Sequence, residues 1–385
     1  MLDFKQIQKE YSFLNDEIFL DVSRVVMPPL CVQNVYSSFM KEYICDFNSD
    51  VVSRLWDMVE DTRKKVAQLI HCESDEIGFV KNTCEGISIL ANGFPFEKGD
   101  NVVLVDQEHS ANLFPWIRLR EYKGVDLHIV KSINGSIQIE DIANQIDEHT
   151  KLLTISSIQF STGYYADLET LGKICEEKGI LFCVDGIQAL GRMHIDVKKM
   201  RIGWMASGTN KGLLSTLGAG FVYCDKKYTE RIIPSYASYQ SVENHVSPPS
   251  ITTNFEYLEW HKDARRFESG NLSYNCILAL NKGVEWILEL GMEDIEKYIL
   301  SLEDYLRNKI KDIHLPVVQL DKKNQGGIIC IYYPENKEDK VDEICKKYKI
   351  HCTRRGGYIR LGLDFYNTFE QMDIVSEAIH KIDLL

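Results

Sequence analysis

The sequence predicts an α/β protein: a large domain on a mostly parallel sheet, followed by a smaller α+β domain at the C-terminus. Three observations predict it. Apolar runs alternate with helical stretches from about residue 50 to 225, the signature of a parallel sheet with helices on both faces. Three of those runs, at 181–184, 203–206 and 219–223, are bounded by turn residues and read as buried strands. Beyond residue 327 the chain reads strand, helix, strand, helix on a compact scale. The expected division is 1–24 as an N-terminal segment packing with the small domain, 25–265 as the large domain, and 266–385 as the small domain with a long linking helix.

Composition sets the bounds. The chain has 385 residues, 44% hydrophobic and 26% charged, enough for a large core and more than one domain. A net charge of −13 argues against nucleic acid or an anionic membrane as partner. No apolar run reaches the roughly 18 residues of a membrane span, and the first residues, MLDFKQIQKEYSFL, are too charged for a secretory signal. The 11 cysteines show neither CxxC pairs nor metal-ligand spacing, and Cys183, Cys224 and Cys330 sit in apolar runs. Together these lead us to expect a cytoplasmic protein with no structural metal.

Taken in order, an apolar patch at 18–22 precedes a stretch at 25–30 that Pro28-Pro29 keeps extended or looped. From 53 to 70 the apolar residues Leu55, Met58, Val59, Val66, Leu69 and Ile70 recur at helical spacing. A strand at 77–80 leads into Asn82-Thr83, which can cap a helix starting near Cys84 with Glu85 in its first turn. Such a helix start presents free N–H groups to an anion, though on this stretch alone plain N-capping is the better reading. A strand at 102–105 is followed by His109, beside Asn112, Pro115 and Trp116, either opening a helix or stacking on a flat ring. Strands follow at 126–130 and 152–156, then a turn at Ser161-Thr162-Gly163 and an amphipathic helix at 168–178. Residues 226–262 lose periodicity, with Ser247-Pro248-Pro249 and Thr252-Thr253-Asn254 marking a long loop. A long helical stretch runs to about 310, and the tail reads strand (327–333), helix (340–348), strand (358–363), helix (371–382).

Asp185 ends one buried strand and Lys211 lies just past the next, so both fall near one sheet edge, where ligands of open α/β folds bind. Pyridoxal phosphate (PLP) chemistry needs this pair. A lysine amine condenses with the cofactor aldehyde, and an acid on the pyridine nitrogen lets the ring absorb electrons. A lysine near its usual pKa of about 10.4 is a poor nucleophile, so such a site must lower it. Either residue alone would be read as a surface lysine or a loop acid.

Six segments together resemble the class V aminotransferase family of PLP enzymes, the branch with cysteine desulfurases, selenocysteine lyase and isopenicillin N epimerase-like proteins. The resemblance spans nearly the whole chain and implies the PLP-transferase type I fold. NTCEGIS resembles the phosphate-binding helix start, with Thr83 and Cys84 as donors. EHSANLFPW resembles the segment whose histidine, here His109, stacks on the pyridine ring. VDGIQALG implies Asp185 on the ring nitrogen and Gln188 near the ring hydroxyl. SGTNKGLL implies Lys211 as the cofactor lysine. RFESGN resembles the phosphate-clamping turn that comes from the neighbouring subunit of a homodimer, with Asn271 where threonine is common. RGGYIRLGLDFYNT resembles the C-terminal signature, in which Arg360 binds the substrate carboxylate.

The departures from the family pattern bear on the reaction. Asn210 replaces a common histidine before the lysine, and Gly208 replaces a serine, so Ser207 or Thr209 is expected on the phosphate. Phe160 replaces an asparagine, leaving the ring hydroxyl to Gln188 and Gln159, and FLDVSRVVMPP replaces a DNAA-like stretch on the substrate side. Desulfurases need a nucleophilic cysteine on a mobile small-domain loop ahead of the arginine. The candidates are Cys330, Cys345 and Cys352, of which Cys352 lies nearest Arg360 but on a stretch too short to swing, so its alternative is a strand cysteine. The best reading is a desulfurase-like C–S lyase acting on a small α-amino acid, through an external aldimine, without a mobile cysteine. Transamination to a keto acid and epimerisation are the alternatives, with Lys211 as proton shuttle in each. A PLP-fold regulator is the non-enzymatic rival, and retention of Lys211 and Asp185 argues against it.

Overall fold

The computed structural model describes residues 2–45, 50–244 and 257–385. The proline-rich and threonine-rich loop expected around 247–254 lies outside them. The strands are β1 (Ile18–Phe19), β2 (Ile77–Val80), β3 (Asn101–Val105), β4 (Asp126–Val130), β5 (Thr150–Ser156), β6 (Leu181–Asp185), β7 (Trp204–Gly208), β8 (Gly220–Cys224), β9 (Ile328–Tyr332), β10 (Ile350–His351), β11 (Thr353–Arg355) and β12 (Tyr358–Gly362). The helices are α1 (Phe4–Glu10), α2 (Leu30–Cys45), α3 (Asp50–Ile70), α4 (Thr83–Gly93), α5 (Phe114–Lys123), α6 (Ile139–Asn144), α7 (Leu168–Lys178), α8 (Lys226–Thr229), α9 (Tyr274–Leu290), α10 (Met292–Lys309), α11 (Glu338–Lys347) and α12 (Phe369–Asp383).

The large sheet has seven strands in the order β2-β8-β7-β6-β5-β3-β4. It is parallel from β7 to β4, while β8 runs antiparallel to both of its neighbours. A parallel return from β7 would need a crossover of a dozen or more residues, usually a helix. Residues 209–219 hold no helix, so the chain doubles straight back into β8 and leaves this loop at the C-terminal end of β7. Side chains alternate across the sheet: Phe182, Val184 and Met205 enter one apolar cluster, Leu181, Cys183, Trp204 and Ala206 the other. Burial on both faces is why these strands read as unbroken apolar runs. Helix α4 lies so close to β7 that a Cβ on Gly86 would stand 2.7 Å from the Ala206 Cβ.

The C-terminal part carries a three-stranded antiparallel sheet, β11-β12-β9, packed with α10, α11 and α12. The single helical stretch expected up to 310 is two helices, because Gly291 takes φ +85 and ends α9 before α10 begins. Helix α9 packs on α2 and α3, and α10 on α12. Helix α2, and strands β10 and β11, were not among the expected elements. Near the N-terminus, β1 pairs in parallel with β10, Asp21 bridges to Gly362, and the Val26 N–H then donates to the Asn210 carbonyl at 2.9 Å. Residues 18–26 thus lie along the small sheet and end on the Lys211 loop.

Candidate active site

The C-terminal ends of β5, β6 and β7 share one edge, where Ser156 sits opposite Asp185 and Asp185 opposite Ala206. Asp185 is 2% exposed, and one carboxylate oxygen accepts the Ile187 N–H at 3.0 Å. Burial pushes its pKa up, the Ile187 N–H opposes this, the Glu108 charge adds to it, and Lys211 opposes it. Lys211, three residues past β7, makes no hydrogen bond or ion pair among the described residues. Burial lowers its pKa, Asp185 acts against that, and Arg360 and Arg192 push it down further. The amine is therefore a better nucleophile near neutral pH than an ordinary lysine.

A helix start with free amides lies at the beginning of α4. Asn82 caps the helix by accepting the Glu85 N–H at 2.9 Å, and the amides of Thr83 and Cys84 belong to the first turn, where no intrahelical acceptor exists. The Thr83 hydroxyl oxygen accepts the Gly208 N–H at 2.8 Å, so its proton is still available. Cys84 is exposed. Gly208 has no side chain in a tight corner: a Cβ there would lie 3.2 Å from Asn210 Oδ1 and 3.6 Å from Thr83 Oγ1. Ser207 and Thr209, expected on the phosphate, make other contacts here. Ser207 donates to the Gly208 carbonyl at 2.7 Å, and Thr209 to the Ala219 and Thr216 carbonyls at 3.0 and 3.2 Å. Thr209 thus holds the 209–219 loop while Ser207 bonds the end of its own strand, and both are fully buried. Asn271 is exposed, accepts the Tyr239 hydroxyl at 2.5 Å, and lines a cavity of about 120 Å³ with Lys81, Gly218 and Ser273. Its turn is anchored by buried Glu268, which accepts from Arg63 at 2.8 Å and from the Phe79 N–H at 2.9 Å.

His109 follows β3, exposed, with its ring centroid 5.1 Å from that of Phe160 and perpendicular to it. Its Nδ1 accepts the Ala111 N–H at 3.1 Å, which puts the ring proton on Nε2. Burial lowers its pKa, helped by Lys211, Arg360 and Arg355, which favours the neutral ring. Gln188 donates to the Ser23 carbonyl at 2.9 Å and Gln159 to Glu108 at 2.8 Å, while the side-chain oxygen of each is buried without a partner. Two orphaned acceptors beside Lys211 and Asp185 suit a ligand that donates hydrogen bonds. Arg360, 6% exposed, donates to the Phe160 carbonyl and to Thr353 Oγ1, both at 3.1 Å, and its Nε has no partner.

Two residues were given no role by the sequence reading. Glu108 is buried and accepts four hydrogen bonds, from the Ser156 N–H and hydroxyl at 2.7 and 2.6 Å and from Gln159 and Asn112 at 2.8 Å each. It ties β5 to the His109 segment, and a carboxylate next to that histidine was the available signal. Asp21 accepts Thr353 Oγ1 at 2.6 Å and Arg24 Nε at 2.7 Å, linking the N-terminal segment to the strand opposite Arg360. The three cysteines weighed earlier, Cys330, Cys345 and Cys352, are all buried. Cys352 lies beside Cys345 and 3.5 Å from an Arg354 nitrogen, and Cys330 lies 3.2 Å from the Tyr358 hydroxyl.

A family model described as "Aminotransferase class-V" matches residues 18–375. The chain belongs to this family. Among class V aminotransferases it is similar to a "Probable cysteine desulfurase" of Methanothermobacter thermautotrophicus, at 29% identity over 98% of both chains. Its fold is similar to that of the apo cysteine desulfurase of Thermococcus onnurineus, with a TM-score of 0.89 at 22% identity over 100% of this chain and 99% of that one. It is also similar to that of the cystine C–S lyase C-DES in complex with cysteine persulfide, with a TM-score of 0.87 at 16% identity over 97% and 99%. Class V aminotransferases are PLP enzymes, and the residues here fit the cofactor: a partnerless lysine of lowered pKa, a buried acid, two orphaned acceptors and an anion cradle. Among the described residues no helix is long and apolar enough to cross a membrane, and no group of three metal-ligating side chains occurs.

Proposed function

We propose that this class V aminotransferase is a C–S lyase that acts directly on a small cysteine-like α-amino acid, without a sulfur-carrying cysteine of its own. The observation that carries the reading is the β11–β12 hairpin. Gly356 and Gly357, at φ +58 and +72, close it in the tightest kind of turn, leaving no loop between Thr353 and Arg360. Its nearest cysteine, Cys352, is buried against Cys345.

The roles follow from the geometry. Thr83, Cys84 and Asn210 would hold the cofactor phosphate, Asp185 the ring nitrogen, His109 the ring face, and Gln188 and Gln159 the ring hydroxyl. When bound, PLP supplies an electron sink for bonds broken at Cα. Arg360 orients the substrate through its carboxylate, and Lys211 Nζ takes the Cα proton. Loss of that proton and of the Cβ–S bond, with one water consumed, converts cysteine to pyruvate, ammonia and hydrogen sulfide. We further infer a homodimer, with Asn271 serving the partner's site. Leu217, 71% exposed beside Cys276, and Tyr239, bonded to Asn271, support an apolar contact there. The free cysteines of the described residues support a reducing, cytoplasmic setting.

The test is an amino-acid panel on the PLP-loaded protein, with cofactor spectroscopy and product analysis. The proposal expects pyruvate with sulfide and an unchanged cofactor after turnover. Accumulated pyridoxamine phosphate would make it a transaminase, an inverted Cα an epimerase, and no reaction with any amino acid would defeat the reading.

A further inference from the structure

The hairpin carries a second arginine on the face that meets the site. In its register Thr353 pairs with Arg360 and Arg355 with Tyr358. Side chains alternate along a strand, so Thr353 and Arg355 share one face with Tyr358 and Arg360. That face belongs to the site: Thr353 holds Asp21, Arg360 reaches the Phe160 carbonyl, and the Tyr358 hydroxyl donates to the Ser161 carbonyl at 2.9 Å. Arg354 points the other way, onto Asp342 of α11 at 2.6 Å. Arg355 and Arg360 are diagonal neighbours, whose Cβ atoms in an antiparallel pair stand about 7–8 Å apart.

Arg355 is exposed, and its guanidinium has no hydrogen bond or ion pair among the described residues. Nothing in the fold needs it there. Arg24 lies on the same side through Asp21, which neutralises it at 2.7 Å. Arg355, Lys211 and Arg360 gather positive charge at one mouth of a chain whose net charge is −13. The same charges act on His109, whose pKa is lowered first by burial and then by Lys211, Arg360 and Arg355.

We propose that Arg355 reads a second acidic group, so that the preferred substrate is an α-amino acid whose side chain ends in an anion. This rests on the amino-acid reading above. Arg360 takes the α-carboxylate, and Arg355, one diagonal step away, takes the distal group through its planar fork of donors. The contact is an exposed ion pair, so the preference it confers is about fivefold at most. Because the contact is exposed, the preference shrinks as salt rises.

The experiment measures dissociation constants of the PLP-loaded protein for pairs that differ only in distal charge: aspartate against asparagine, and glutamate against glutamine. The acidic member should bind up to about fivefold tighter to the wild type, less so at high salt. That ratio should fall to about one in Arg355→Ala, invert in Arg355→Glu, and survive in part in Arg355→Lys. Equal binding of both members by the wild type overturns the proposal. So does a ratio unchanged in Arg355→Ala, including the case where Arg24→Ala abolishes it instead. Binding of neutral amino acids without an acidic preference leaves the function standing and removes only this inference. Failure to bind any amino acid removes both.

Discussion

Replacing Arg360 with alanine should weaken substrate use severely while leaving PLP in place. Two of the five guanidinium N–H groups are committed to the Phe160 carbonyl and Thr353 Oγ1, and Nε, buried, has no acceptor. Nε and the remaining terminal protons can therefore receive a carboxylate side-on. Truncating one partner of a buried, hydrogen-bonded charge pair costs about 2–5 kcal/mol. At about 1.4 kcal/mol per decade, kcat/KM falls by about thirtyfold to several thousandfold. The two charge-assisted bonds lost with the side chain cost stability, about 1.5–3 kcal/mol each, so thermal unfolding must be recorded alongside. Arg360→Lys keeps the charge without the fork and should fall between. The assay is steady-state kinetics at matched PLP content, with the amino acid and its carboxamide compared. A variant that folds, holds PLP and keeps wild-type kcat/KM would refute the assignment, as would equal losses for acid and amide.

Other expectations follow from the same geometry. Lys211→Ala should abolish the borohydride-trapped link between protein and PLP; a link retained at wild-type level would place the cofactor on another lysine. Asp185→Ala should keep PLP but lose turnover, because the ring nitrogen loses a charge-assisted contact; unchanged kcat would point to another partner for that nitrogen. Asp364 offers a pH test. Burial raises its pKa from 3.8 to about 7, against the opposing Arg192 charge and Phe365 N–H. Between those values the folded state binds the proton more tightly than the unfolded chain. This stabilisation is therefore full below about pH 4 and is lost as pH rises towards 7, at up to about 1.4 kcal/mol per unit. Asp364→Asn should remove that slope from denaturant titrations run across the window, and parallel wild-type and variant profiles would contradict it.

The strands that hold the site could be read because they are buried on both faces. The runs ending at Asp185 and before Gly208 have no polar alternation to obscure them, and the turn residues that follow mark the edge where ligands bind. Direction was harder. The run at Gly220–Cys224 looks like its parallel neighbours, and only the absence of a helical pattern in 209–219 signals that it doubles back. Strand β11 is Thr-Arg-Arg, polar and at a sheet edge, so its identity comes from backbone pairing with β12 that composition does not reveal. The break between α9 and α10 rested on Gly291 alone. Ser207 and Thr209 were placed on the phosphate through the family resemblance, whereas what their hydroxyls do depends on which carbonyls the loop brings near. Glu108 and Asp21 act on partners far along the chain, Ser156 and Thr353, and such pairings are settled only by the fold.

The central claim, that sulfur leaves the substrate without passing through a cysteine of this protein, is tested most directly by intact-protein mass spectrometry during turnover. The PLP-loaded protein is mixed with cysteine, quenched with an alkylating agent, and analysed for added sulfur on Cys330, Cys345 and Cys352 while the solution is assayed for pyruvate, sulfide and alanine. The account predicts unmodified cysteines, pyruvate and sulfide in equal amounts, and the same products from Cys352→Ala. A persulfide on Cys352, with alanine in place of pyruvate and sulfur release lost in Cys352→Ala, would contradict it.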